Sequence, residues 1–262
     1  MQNFLCQASL RPLAAFFPAL LGTASFSALA APLRELSTDR PDTTESPRSV
    51  DAGHFQFELE IAAAERHGSI RTLHLGEFNL KTGLDDSTDL QLVLPLFSRT
   101  AGGAEGFGDI EVRLKRNLWG NDVGPTALAV MPFIKLPTAH RDLGNGQWEG
   151  GLIVPFAFAL PAGWDAGVMA EIDLAADETG GDSHAVFVHS ITASHGLTDS
   201  TSFFLEAVSV LSAVSGADDE AYFNAGLTWA IRPLWQVDGG IRVGLTSAST
   251  DCTPFLGLSA KF

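Results

Sequence analysis

Beyond its first thirty residues the chain has no run approaching the ~18 consecutive apolar residues of a membrane-spanning helix, so it could cross a bilayer only as strands. Cysteine is scarce, two in 262 residues, which excludes a disulfide framework. Bases are also few, 16 Lys and Arg against 31 Asp and Glu. A formal charge of −15 argues against a nucleic-acid partner, which needs clustered cations to replace phosphate counterions. Tyrosine occurs once, against 18 Phe and 26 Gly, and 45% of the residues are hydrophobic. Such a chain is too apolar to stay disordered and is rich in turns.

Residues 1–30 hold no acid and one base, Arg11, ahead of the apolar run Leu13 to Leu21 and the small-residue tract SFSALAAP. This is the layout of an export signal, and Ala28 and Ala30 place its cleavage after Ala30. Cys6 lies in the removed part and lacks the flanking residues of a lipoprotein signal, so Cys252 is left without an internal disulfide partner. A polar segment, 31–53, follows. Within it STDRPDTTESP (37–47) cannot join a sheet, because Pro41 and Pro47 carry no N–H donor. The segment either frays as a tail on the periplasmic side or folds into a lumen, where Asp39, Arg40, Asp42 and Glu45 would need polar partners. In the second case Arg40 is expected to pair with an inward acid, Glu58 or Glu60.

From residue 54 onward the pattern has period two. In HFQFELEI, Phe55, Phe57, Leu59 and Ile61 alternate with Gln56, Glu58 and Glu60, and the same alternation recurs in DLQLVLPL, GDIEVRLKRNL and GWDAGVMAEIDL. Twelve strands are expected near 54–63, 72–81, 88–97, 108–118, 126–137, 150–160, 163–174, 184–195, 200–213, 221–232, 234–245 and 253–262. Ten or fourteen would follow from one miscounted hairpin. The connections alternate in length. GLDDST, WGNDVGP, AG, GLTD and P are mostly short, whereas ERHGSIRT, SRTAGGAEGF, TAHRDLGNGQWE, AADETGGDS, SGADDEA and TSASTDC are mostly longer and polar. Short turns on one side and long loops on the other describe an outer-membrane barrel with periplasmic turns and external loops. Trp119, Trp164 and Trp235 lie beside short turns and Trp148 beside a long loop, as an interfacial girdle requires. The chain ends in an apolar stripe, Leu256, Leu258, Ala260 and Phe262, with Ser259 and Lys261 turned the other way. That is the form of an assembly signal read by the barrel assembly machinery. The fold expected is therefore all-β: a transmembrane antiparallel up-and-down β-barrel of twelve strands over 54–262. A soluble β-barrel or sandwich would share the alternation.

TDRPDTTESP followed by GHFQFELE resembles the start of the outer-membrane barrel family named for the MetA pathway of phenol degradation, and GFGDIEVRLKRNLWG (106–120), FIKLPT (133–138) and PFLGLSAKF extend the likeness over nearly all of residues 31–262. The resemblance implies a barrel and a role in the uptake of hydrophobic or aromatic compounds.

The residues themselves offer no catalytic constellation. His189 and Ser190 are adjacent, as are Ser194 and His195, so each pair falls on opposite faces of a strand. The seven histidines lack close ligand spacing, and the acidic loops DETGGD and GADDEA lack the regular spacing of a calcium loop. No metal and no cofactor is expected. The inward charges are the better candidates. Glu58, Glu60, Asp109, Glu111, Arg113, Lys115, Glu171, Asp173, Asp238 and Arg242 would face a lumen, either as a selectivity lining or as ion pairs that fill it. The expected protein is a monomeric outer-membrane channel or passive transporter for a small hydrophobic or aromatic molecule, surrounded by membrane lipid and lipopolysaccharide. A structural or envelope-interaction barrel is the alternative, and a lipid-modifying enzyme a more distant one.

Overall fold

The computed structural model describes residues 33–122, 124–140, 143–177 and 182–262. The export signal and its cleavage point lie outside these residues, as does the central part of the DETGGD loop.

Thirteen strands occur among the described residues: β1 (Phe55–His67), β2 (Ile70–Asp85), β3 (Thr88–Thr100), β4 (Glu105–Gly106), β5 (Ile110–Trp119), β6 (Thr126–Leu136), β7 (Glu149–Leu160), β8 (Trp164–Ala176), β9 (Ser183–Gly196), β10 (Thr201–Ser212), β11 (Glu220–Arg232), β12 (Trp235–Gly244) and β13 (Cys252–Lys261). Twelve of them form a ring of antiparallel neighbours, closed where β1 pairs with β13 from Gln56↔Lys261 to Arg66↔Cys252. The thirteenth is β4, a two-residue strand that pairs with β3 within the third connection. A closed ring leaves no free edge, so every ladder donor and acceptor is satisfied without water.

The ring is inside-out relative to a water-soluble domain. Leu80, Leu90, Leu114, Ile134, Ile172, Ile191, Leu205, Leu227 and Ile241 stand exposed on the outer wall. The largest fully buried side chains include Lys115, Gln91, Glu58, Glu206, Asn224, Asp89 and Asp238. Apolar residues do occur inside, as two patches: Met131, Ile153 and Met169 on one wall, and Ala63, Phe204 and Phe255 on another.

Two expected features change. The first connection, read as a long polar loop, is the two-residue turn Gly68–Ser69, because β1 and β2 run on as a ladder to His67↔Ile70. Strand β2 is correspondingly longer than 72–81, and it breaks alternation at Gly76, whose φ of +72° suits a residue without a side chain. Gly76 drops out of the pairing between Glu60↔Glu77 and Ala62↔Leu75, and across it the side chains change face: Glu77 lines the lumen while Leu75 stands exposed on the outer wall.

Tryptophan gathers at the short-turn end, where Trp119, Trp164, Trp229 and Trp235 sit, while Trp148 is exposed at the long-loop end. The carboxy-terminal Phe262 ring lies 6.1 Å from Phe57 and 5.7 Å from Trp235, across the closing seam. Phe262→Ala removes both ring contacts and is expected to cost about 1–2 kcal/mol. The measurement is the fraction of protein that keeps heat-modifiable gel migration after refolding into detergent. An unchanged fraction would show that the terminal ring is dispensable for closure.

Candidate functional site

The site is built from the inner face of the barrel and from residues 33–53, which enter it. The segment forms no ladder, apart from one parallel bridge between Ala52 and Gly83, so side chains of the wall must satisfy its backbone. Glu58 accepts the N–H groups of Asp39 (2.9 Å) and Arg40 (2.8 Å). Glu206 accepts those of Thr43 (2.9 Å) and Thr44 (2.7 Å), together with the Thr44 hydroxyl and the Asn224 amide. Asn121 and Asp89 take the N–H groups of Ser49 and Val50, while Asn117 and Gln56 donate to the carbonyls of Pro47 and Ser37. The strands supply these groups because alternation sends every second side chain inward.

Charge fixes the segment more firmly. Asp39 bridges Lys115 at 2.6 Å and also meets Lys81, which in turn pairs with Glu58, and all four side chains are buried. Burial alone would raise the Asp39 carboxyl, but Lys115 and Lys81 hold it well below the ordinary carboxylate range. The Arg40 guanidinium spans Glu60 (3.1 Å) and Asp238 (2.9 Å). It passes over Gly257, where a Cβ would come within 2.4 Å of it. Arg113 reaches Glu45 at 2.5 Å and pairs with Glu111. Arg242 binds Glu60 at 2.9 Å and lies 4.4 Å from the Phe255 ring centroid. At the short-turn end Lys261 donates to the carbonyls of Arg34 and Glu35 and to Asp51. Burial opposes ionisation of Asp51, yet Lys261 and Arg34 keep its carboxyl below the usual value. Its tie is therefore present at neutral pH and is lost as pH falls through that depressed value.

Above the segment, toward the long loops, lies a cavity of about 500 Å³. Eight carboxylates line it (Asp39, Asp42, Glu45, Glu58, Glu60, Glu65, Glu77 and Glu171) against three guanidiniums, those of Arg40, Arg113 and Arg242; Val93 and Ile153 add an apolar wall. Burial, and next the charge of Glu206, pushes the Asp42 carboxyl up to about 8, and burial with Asp39 pushes Glu45 up to about 7 against the pull of Arg113. Asp173, on the β8 wall with Glu171, has a buried Oδ1 without a hydrogen-bond partner.

Of the ten inward charges expected, Asp109 is misplaced. It precedes β5, and its carboxylate accepts the Ala139 N–H at 2.8 Å in the loop after β6, so it braces a connection rather than lining the cavity. Arg40 takes Glu60 with its guanidinium, as expected of it, but leaves Glu58 to the backbone and adds Asp238. Alternation did not reveal Lys81, Glu77 or Glu206. The first two both follow the Gly76 irregularity, and Glu206 stands in the largely apolar run SFFLEAVSV, where a lone acid was the available signal. Ser190 points inward to Thr44 at 2.6 Å, whereas its neighbour His189 pairs with Ala170 on the opposite face.

Glu206→Ala would strand four donors in the interior and is expected to destabilise the protein by about 3 kcal/mol. The shift should be read from urea unfolding in detergent micelles, with Glu206→Gln intermediate because it keeps an acceptor. Equal midpoints for the alanine variant and the parent protein would refute the anchoring role.

A closed, inside-out ring of twelve antiparallel strands with a charged, segment-filled lumen defines an outer-membrane β-barrel, and the protein resides in the bacterial outer membrane. The family model described as "Putative MetA-pathway of phenol degradation" matches residues 38–262, and the chain belongs to that family. Among solved structures, the NanC porin aligns with a TM-score of 0.59 at 8% identity, covering 79% of this chain and 100% of the porin. The Ralstonia pickettii toluene transporter TbuX aligns at 0.41 and 9% identity, covering 81% of this chain and 90% of its own. The Pseudomonas putida toluene transporter TodX gives 0.40 and 8%, covering 81% and 89%. At these identities the likeness is one of fold. No curated protein matches the chain in sequence.

Proposed function

We propose that the protein is a passive outer-membrane conduit for a small aromatic solute with a polar end, and that residues 33–53 plug it from the short-turn side. One observation carries this reading: a cavity large enough for such a molecule, open toward the long loops, ends on a segment that is not part of the wall. The ring of the solute would lie against Val93 and Ile153, and its polar end would face Glu77 and Glu171. The excess of carboxylates favours phenols and aromatic amines over aromatic acids. The family description agrees with an aromatic cargo. The reading treats the protein as a monomer and invokes neither cofactor nor bond-making chemistry.

Proteoliposome uptake tests it. A phenol and benzylamine should enter faster than benzoate, and planar bilayers should show a mostly closed channel with brief cation-selective openings. A barrel that admits no solute and stays silent, even after residues 37–47 are removed, would be a structural or envelope-interaction barrel instead.

The lining makes a separate prediction. In a barrel lacking residues 37–47, which takes the plug out of the measurement, Glu77→Gln with Glu171→Gln should move the cation-to-anion permeability ratio toward unity. Reversal potentials in a salt gradient report it. An unaltered ratio would place the selectivity elsewhere in the lumen.

A further inference from the structure

Three arginines on adjacent strands face outward at the long-loop rim. Arg66 on β1 stands directly opposite Arg71 on β2, and Arg99 on β3 is in register with Leu73, two residues along β2. With Ala64, Leu73 and Ala101 they frame a cleft of about 480 Å³. Its floor, Leu73, continues into the exposed Leu75 and so into the lipid-facing band.

This cluster is anomalous in two ways. Like charges directly opposite on a ladder repel and are destabilising unless something anionic lies between them. The protein is also strongly acidic, and six of its thirteen other bases are spent inside, where Arg40, Lys81, Arg113, Lys115, Arg242 and Lys261 are all paired with carboxylates. The rim arginines have no comparable partners. Arg66 meets Asp251 at 3.5 Å and Arg99 meets Glu105 at 3.3 Å, both pairs well exposed and so worth little. Arg71 has no carboxylate within 4.0 Å among the described residues. At the opposite rim the outward Arg116 already pairs with Asp85 at 3.2 Å, and no such cluster forms.

We propose that the cleft binds the phosphorylated headgroup of an outer-leaflet glycolipid of the lipopolysaccharide type. Its phosphate would lie among the guanidiniums of Arg66, Arg71 and Arg99, and its acyl chains would run down over Leu73 and Leu75. The two halves of the cleft select this occupant together. Three guanidiniums call for a multiply charged anion able to accept paired N–H donors. The apolar floor, continuous with the lipid-facing wall, calls for hydrocarbon attached to that anion. Inorganic phosphate meets only the first demand. A zwitterionic phospholipid brings a cation of its own to a site already holding three. The assignment is independent of the lumen and of any transport through it.

Native mass spectrometry of the full barrel in nonionic detergent tests it, with bisphosphorylated hexa-acyl lipid A as the probe. The same lipid stripped of both phosphates, and inorganic phosphate, serve as comparisons. One lipid A should be retained per barrel, and the dephosphorylated lipid should bind about 100-fold more weakly, as expected for three arginines near a membrane surface. The triple variant Arg66→Gln, Arg71→Gln, Arg99→Gln should lose affinity to the same extent. Arg116→Gln with Arg232→Gln, at the other rim, should leave it unchanged. Equal retention of the two lipids would show acyl adhesion alone, and full displacement of lipid A by millimolar inorganic phosphate would show a free-anion site; either overturns the proposal. So would a folded triple variant that binds as the parent does. The comparison of the two lipids uses unaltered protein and decides the matter even if the triple variant does not fold.

Discussion

Removing residues 37–47 is expected to convert a mostly closed barrel into one that conducts continuously. The segment contributes nothing to the ladders that close the ring, so the wall should survive its loss. Inside, the excision exposes Glu58, Lys81, Lys115 and Glu206 to water that replaces the lost backbone partners. Lys81 and Glu58 keep each other as a pair, which limits the penalty on the wall. Single-channel recording in planar bilayers should show long openings at a conductance several-fold above the time-averaged value of the parent protein, together with unaltered heat-modifiable migration. Unchanged conductance from a folded deletion would mean that the segment is a tail lodged in a barrel obstructed by other means. That result would remove the plug and leave the barrel intact.

Asp39→Ala should produce the largest loss of stability of any single substitution in the lumen. The Lys115 side chain is 1% exposed, and Asp39 is its ion-pair partner, so truncation leaves an ammonium in the interior with nothing to neutralise it. Breaking a buried pair in this way costs about 3–5 kcal/mol, far more than the pair itself contributes. Lys81 would suffer less, because Glu58 remains beside it. The second change Lys115→Met, similar in length and uncharged, should therefore recover most of the stability lost in Asp39→Ala. Urea unfolding in micelles reads the cycle, and planar bilayers read whether openings lengthen as the segment loosens. If the double variant were no more stable than Asp39→Ala, the ion pair would not be the source of the penalty.

The barrel was legible because the lipid imposes the simplest pattern a strand can carry. Outward residues are apolar and inward ones polar, so Phe57, Leu59 and Ile61 against Glu58 and Glu60 reveal both the strand and its orientation. Legibility fails where period two fails. Gly76 shifts the phase of β2 and conceals Glu77 and Lys81, and the Phe204 and Val208 that flank Glu206 on the inner face make that strand look uniformly apolar. Asp109 was misjudged for a related reason, since alternation continues past the end of a strand in sequence but not in space. The partners of the inner segment lay further out of reach. Arg40 meets Asp238 across 198 residues, and nothing local to either residue specifies which strands the segment will cross. The arginine rim was invisible for a third reason: Arg66, Arg71 and Arg99 become neighbours only when β1, β2 and β3 pair.

The two ends of the inner segment's anchorage are far apart along the chain. Glu58 sits on the first strand, while Glu206 and Asp238 sit on β10 and β12, and the seam between β1 and β13 joins residues about as distant as the fold allows. Contacts of such separation form late, because the entropy of closing the intervening chain must be met first. A closed cylinder cannot then be entered sideways by a segment whose backbone is held at so many points. Residues 38–50 are therefore expected to be laid across the curved, still-open sheet and wrapped by it. In that sequence of events they act as an internal mandrel: the ion pairs of Asp39 and Arg40 gather β2 and β5 on one side and β1 and β12 on the other, and the seam is the last ladder to zip.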